Sequence, residues 1–241
     1  MSRRIKGWLS SPGLLAGNPR IGWIMFSVGI LVFALMAINL FANGPLIQVD
    51  TSITNTLHNT ALNISAGELS FIKLGWTMGN EVVIGLAVVV GVYFIVRRYW
   101  QEFWMVAAGA GGGPLIFLAL SRTINRPRPE FLVQVASNPT GPGFPSGHTV
   151  VAVTVYGLIA YLLLPTISSR LGKWIVILIT LLIMLFIGFS RIFTGGHYLT
   201  DVIAGYSVGL AWAGISYTAI EIYFARRDKR RIESEKVGGK P

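Results

Sequence analysis

Six apolar runs divide this chain, at roughly 21–42, 78–96, 103–121, 149–165, 174–190 and 202–224. A helix needs about 20 residues to cross the hydrocarbon core of a bilayer. A backbone in lipid must also satisfy its own peptide groups, which favours helices. The expected fold is therefore all-α, a polytopic membrane protein of six transmembrane helices with short interfacial helices in the first outer loop. Only 12% of the 241 residues are charged, against about 25% in soluble domains. The second run is the weakest, because its clean core, Val82 to Val96, needs part of the preceding Leu74–Asn80 to reach span length. The third is rich in glycine and alanine, which suit close helix packing, and Pro114 predicts a kink in it. The first run exceeds a signal-peptide core and precedes no evident cleavage site, so it reads as a retained signal anchor.

The net charge of +10 raises the possibility of nucleic-acid binding, but its placement argues for a membrane instead. Arg3, Arg4, Lys6 and Arg20 precede the first run, Arg97 and Arg98 follow the second, and Arg170 and Lys173 follow the fourth. Arg226, Arg227, Lys229, Arg230, Arg231, Lys236 and Lys240 follow the sixth. Fifteen of the twenty basic residues thus share one side, which the positive-inside rule makes cytoplasmic. The expected layout is a basic cytoplasmic N-terminus (1–20), a six-span domain (21–224) and a basic cytoplasmic tail (225–241). The expected location is the plasma (inner) membrane. With no cysteine in the chain, disulfides and thiolate metal sites are excluded.

Four of the five remaining basic residues, Arg122, Arg126, Arg128 and Arg191, lie in or beside polar motifs at span ends. Arg126-Pro127-Arg128-Pro129 follows span three, and Pro145-Ser146-Gly147-His148 opens span four. Ser190-Arg191 ends span five, while His197 and Asp201 open span six. With both termini inside, all these points fall on the outer face.

His197 and Asp201 are four apart at a predicted helix start, where side chains share a face. Asp201 can then hold one ring nitrogen and leave the other free as a nucleophile. Ser146 suits a helix N-cap, Gly147 permits close backbone approach to a ligand, and helix N-terminal amides bind anions. His148 is placed to act as a general acid. Arg128 and Arg191, with Arg126 as a third, present planar forks suited to phosphate oxygens. Arg191 directly follows an apolar run and needs a partner there. Glu130, Asp201 or a bound anion can each serve. No carboxylate cluster has metal-binding spacing.

Together these residues resemble the type 2 phosphatidic acid phosphatase superfamily of integral-membrane lipid phosphatases. Its signature is Lys-x6-Arg-Pro, Pro-Ser-Gly-His and Ser-Arg-x5-His-x3-Asp. The second part stands intact at 145–148 and the third at 190–201. At average residue frequencies each pattern arises by chance in roughly one chain of this length in a thousand. The first part departs, because Arg128-Pro129 fits but Ser121 stands where the lysine belongs, with Arg122 beside it.

The resemblance implies a metal-independent hydrolase without a cofactor. His197 would form a phosphohistidine and Asp201 would hold its ring. His148 would protonate the leaving group and then activate water. Arg128, Arg191, Ser146 and Gly147 would bind the phosphate. The implied partner is a membrane lipid with a terminal phosphate or pyrophosphate, such as polyprenyl pyrophosphate, phosphatidylglycerol phosphate or phosphatidic acid. A lipid phosphotransferase with the same intermediate, or a non-catalytic transporter or scaffold, are the alternatives. Nucleic acid is not expected as a partner. The segment 43–77 reads as an outer connection carrying short interfacial helices, with Asp50-Thr51-Ser52 as a helix cap and His58 as a surface or packing residue.

Overall fold

A computed structural model describes residues 14–131 and 141–238, with side chains of the last helix described to residue 234. Arg3, Arg4, Lys6 and Lys240, and the side chain of Lys236, lie outside the described residues. Within them the chain is helical, with no strand. Six helices are long and apolar enough to cross a membrane: Pro19–Phe41, Ala66–Val96, Trp100–Ile124, Gly147–Thr166, Arg170–Phe193 and Leu199–Ser234.

The second span corrects the sequence reading. It begins at Ala66, so the second half of the segment read as an outer connection belongs to the membrane-spanning helix. Ser65 starts it with a capping box: its hydroxyl accepts from the Glu68 amide at 3.3 Å, and the Glu68 carboxylate accepts from the Ser65 amide at 2.8 Å. Lys73 is the one basic residue between Ala66 and Val96, and a single long side chain can snorkel from an otherwise apolar helix. The helix breaks once, at Asn80 (φ −131°, ψ −84°). What remains of the connection is one amphipathic helix, Leu46–Ala61. Asp50 sits inside that helix rather than capping it, and is buried. His58 is a packing residue, stacked on Phe131 with centroids 3.6 Å apart.

Spans one and six pack along most of their length. A Cβ on Gly29 would lie 2.5 Å from the Ser207 carbonyl, and one on Gly214 would lie 2.6 Å from the Gly22 carbonyl. Without a hydrophobic driving force between helices in lipid, such close backbone approach is what holds them. In span three the helix widens to a π-turn over Ala108–Gly112, just before Pro114. Proline has no N–H to continue the ladder, and side chains take up the nearby carbonyls. Trp212 Nε1 donates to Ala108 O at 2.8 Å and Thr154 Oγ1 to Gly109 O at 3.0 Å. At the far end from the motifs, buried Glu221 accepts from Tyr161 Oη at 2.5 Å and from the Ala16 amide at 2.8 Å. That pins the short helix Leu14–Gly17 to spans four and six.

Candidate active site

Four chain segments meet at one end of the bundle. Span three ends at Asn125, whose left-handed backbone (φ 51°) turns the chain into Arg126-Pro127-Arg128-Pro129; asparagine tolerates this conformation. Span four begins after the Pro145-Ser146 turn. Span five ends at Phe193 and turns back through Gly195 (φ 74°) to His197. Span six then starts at Leu199.

His197 is buried and lies in the turn before the helix, not in it. Its Nδ1 is 2.7 Å from the Gly143 carbonyl, and its Nε2 is 2.9 Å from Arg128 Nη1. These two partners fix the tautomer: a carbonyl can only accept and a guanidinium can only donate. Nδ1 therefore carries the proton and Nε2 offers its lone pair. Burial, with the charges of Arg191 and Arg128 added, holds the His197 pKa well below the ordinary histidine value. The ring is neutral at pH 7.

Asp201 takes a different position from the expected one. Its Oδ2 is 3.6 Å from His197 Nδ1 and accepts instead from the Tyr198 amide at 2.8 Å. Because His197 precedes the helix, the four-residue helical spacing does not apply, and the Gly143 carbonyl is the nearer ring partner. Asp201 Oδ1 pairs with Arg126 Nη1 at 2.5 Å.

Arg126 is likewise not free to grip phosphate as the sequence suggested. It donates to Asp50 at 2.9 Å, to Thr200 Oγ1 at 2.8 Å and to Asp201, and it lies over the Tyr198 ring. Asp50 completes the group by accepting from the Thr200 amide at 2.9 Å and the Thr200 hydroxyl at 2.5 Å. Asp50 and Thr200 were missed by the sequence reading. Asp50 belongs to a distant amphipathic segment with no motif around it.

Other donors at the site are unspent. Ser146 occupies the N-cap position, but its hydroxyl makes no cap bond. Ser146 Oγ, His148 Nε2, Ser190 Oγ and all three Arg191 guanidinium nitrogens are buried without hydrogen-bond partners among the described residues. Arg191 is fully buried. Neither Glu130 nor Asp201 pairs with it; its guanidinium lies 4.2 Å over the Trp76 ring. Buried polar groups are ordinarily satisfied, so this cluster of orphans marks a place built for a ligand.

A cavity of about 650 Å³ lies beside the cluster and is lined by one of its members, His148, with Arg191 one layer back behind Trp76. His148, His197, Arg128, Gly147, Ser121, Arg122, Trp76 and Asn80 line its polar end, and Val83, Ile84, Ala110 and Val155 line its apolar depth. Both imidazoles therefore face one space. A Cβ at Gly147 would press on the Phe117 ring at 3.0 Å. Ser121 is buried with its hydroxyl turned to the Leu118 carbonyl at 3.2 Å, whereas Arg122 is exposed. Among the described residues no group of three histidine, cysteine or acidic side chains is placed to hold a metal ion.

The PAP2 superfamily profile matches residues 102–224. The chain belongs to the PAP2 superfamily. It is 36% identical over 135 residues to phosphatidylglycerophosphatase B of Bacillus subtilis, covering 54% of this chain and 64% of that one. It is 33% identical over 147 residues to a probable sphingosine-1-phosphate phosphatase of Dictyostelium discoideum, covering 58% of this chain and 36% of the other. The chain thus spans under two thirds of the length of either relative. Among solved structures, a transmembrane PAP2-type phosphatidylglycerolphosphate phosphatase from B. subtilis superposes with a TM-score of 0.63 at 26% identity, covering 88% of this chain and 97% of that one. Aquifex aeolicus LpxE shares the fold at a TM-score of 0.52 and 20% identity, over 70% of this chain and 94% of that one.

Proposed function

We propose that this chain is a membrane lipid phosphatase that hydrolyses the terminal phosphate of a lipid monophosphate or pyrophosphate through a phosphohistidine. The observation that carries the reading is His197: a neutral ring, its Nδ1 proton held by Gly143 and its unprotonated Nε2 accepting from Arg128 on the wall of a cavity shared with His148. A phosphate drawn to Arg128 meets Nε2 as that hydrogen bond gives way. In the first step Nε2 bonds to the terminal phosphorus and its P–O bond to the leaving group breaks, an ester bond in a monophosphate and an anhydride bond in a pyrophosphate. His148 gives the leaving oxygen a proton. In the second step a water oxygen bonds to phosphorus, its proton passes to His148, and the P–N bond breaks. Arg128, Arg191, Ser146 and the Gly147 backbone stabilise the equatorial oxygens. Donors fixed in advance are usually the largest catalytic term. Arg122, next to the Ser121 that holds the family lysine position, lines the cavity and supplies the charge that the lysine would bring.

The cavity's polar end and apolar depth suit a headgroup above and a lipid tail below. The resemblance to phosphatidylglycerophosphatase B makes phosphatidylglycerol phosphate the first substrate to test. Polyprenyl pyrophosphate, phosphatidic acid and sphingosine 1-phosphate come next. Arg20, Arg97, Arg98, Arg170, Lys173 and the Arg226–Arg231 cluster lie at the helix ends away from the site. By the positive-inside rule, this distribution supports a site on the outer face of the membrane with both termini in the cytoplasm.

The test is phosphate release by purified protein across these lipids, with and without an acceptor lipid. His197→Ala should abolish release and the base-stable, acid-labile phosphoprotein, while the protein stays folded. Arg122→Ala should raise KM severalfold. Full activity in His197→Ala would remove the assigned nucleophile.

A further inference from the structure

Arg191 presents a physical problem that the mechanism leaves open. A guanidinium buried at a span end is costly unless something partners it. Among the described residues it has no hydrogen bond and no ion pair. Its one recorded contact of a stabilising kind is the face of Trp76, 4.2 Å from the guanidinium carbon. A cation over an indole face is attracted by the ring quadrupole, most strongly where water is excluded.

The backbone is shaped to deliver that ring. Trp76 lies in Gly75-Trp76-Thr77-Met78-Gly79, a pair of glycines four apart, the spacing that lets helices close in lipid. A Cβ on Gly75 would sit 2.5 Å from Ser190 Cβ, and one on Gly79 would sit 2.9 Å from Ile187 and 3.0 Å from the His148 ring. The two glycines press span two against span five and the start of span four. Trp76, between them, reaches both catalytic elements. Its ring also meets His148 edge-on, with centroids 5.9 Å apart and planes at 82°.

We infer that Trp76 is a positioning residue that holds Arg191 by its face and leaves the in-plane N–H groups for phosphate oxygens. This rests on the phosphatase reading of the site. A carboxylate partner would neutralise the guanidinium and compete with the anion for the same N–H edge. An aromatic face does neither, because it carries no negative charge and attracts the cation through its quadrupole, and all three guanidinium nitrogens stay without a hydrogen-bond partner. The edge contact to His148 sets the second imidazole against the same Trp76 ring.

The experiment compares Trp76→Leu and Trp76→Phe with the wild-type protein in detergent. Three quantities are read: kcat/KM for phosphate release, the inhibition constant of orthovanadate, and the unfolding temperature. Trp76→Leu should weaken vanadate inhibition and lower kcat/KM by about 30-fold, the equivalent of about 2 kcal/mol at 1.36 kcal/mol per tenfold. Trp76→Phe should recover most of both, since it keeps a π-face. A purely structural role would lower the unfolding temperature or the folded yield and leave the vanadate constant of the folded protein unchanged. An unchanged constant in Trp76→Leu overturns the assignment. If Trp76→Leu does not fold, Trp76→Phe is set against Trp76→Met, which fills space without a π-face. Equal vanadate constants in that pair overturn it as well. Wild-type protein that neither releases phosphate nor binds vanadate refutes the phosphatase reading itself, and the positioning role with it.

Discussion

Asp50 offers the sharpest test of how the site is held. Its carboxylate is 1% exposed and accepts from Arg126 Nη2 at 2.9 Å, the Thr200 amide at 2.9 Å and the Thr200 hydroxyl at 2.5 Å. Asp50→Ala strands all three donors. Breaking a buried ion pair from one side costs about 3–5 kcal/mol. Arg126 keeps Asp201 at 2.5 Å, so the lower end, about 3 kcal/mol, applies. At roughly 2–4 °C per kcal/mol for a chain of this size, unfolding in detergent should fall by about 6–12 °C. Asp50→Asn keeps one acceptor and should cost about half as much. Asp50→Ala combined with Arg126→Ala removes the stranded charge along with its partner. The double variant should therefore lose clearly less than the two single losses added together. Because Arg126 also reaches Asp201 and the loop carrying Arg128, kcat should fall alongside stability. Unfolding of Asp50→Ala within 2 °C of wild type, or strict additivity in the double variant, would refute the reasoning.

Two further outcomes are expected. The unfolded chain binds a proton on histidine near pH 6.5, and folded His197 refuses it. Stability should therefore fall as pH drops below about 6.5, by up to one proton's linkage slope, and His197→Gln should lessen that slope. The acid limb of kcat/KM should likewise lie well below 6.5, once corrected for the substrate's own ionisation. Because the chain has no cysteine, a single one at Asn63 or at Arg98 gives a unique label. In intact cells an impermeant maleimide should label the first and spare the second, and the reverse would invert the proposed orientation.

The motifs at 145–148 and 190–201 were legible because they punctuate apolar runs, so counting spans placed them at one face. The same counting misjudged span two. Lys73 and Gly75 fell in the segment read as a connection, yet one charge and one glycine are compatible with a membrane-spanning helix. Within the site, the helical spacing of His197 and Asp201 misled because the helix starts at Leu199. Two residues of turn are enough to give the ring to Gly143. Arg126 and Arg128 are near neighbours of one residue type in the sequence, and only tertiary partners separate them. Asp50 was misread as a cap because nothing local reveals a carboxylate whose partners lie 76 and 150 positions away.

Those partners suggest how a strongly cationic site is kept ready for an anion. Three guanidiniums converge here, and each is held by a different chemistry. Arg126 is clamped between two carboxylates, which cancels its charge and turns it into a brace. Arg128 rests on the carbonyls of Gly196 at 2.8 Å and of Gly141 and Pro142 at 3.1 Å and donates to neutral His197 Nε2 at 2.9 Å, neutral partners that fix its fork without neutralising it. Arg191 rests on an aromatic face, which spares even its donors. The order runs from fully neutralised to fully available. On this reading, the acidic side chains lie where they stiffen the scaffold and are kept off the two arginines that must meet phosphate. Moving a carboxylate next to Arg191 would stabilise the protein and disable the site, because the buried cation would then have an internal anion to prefer over an external one.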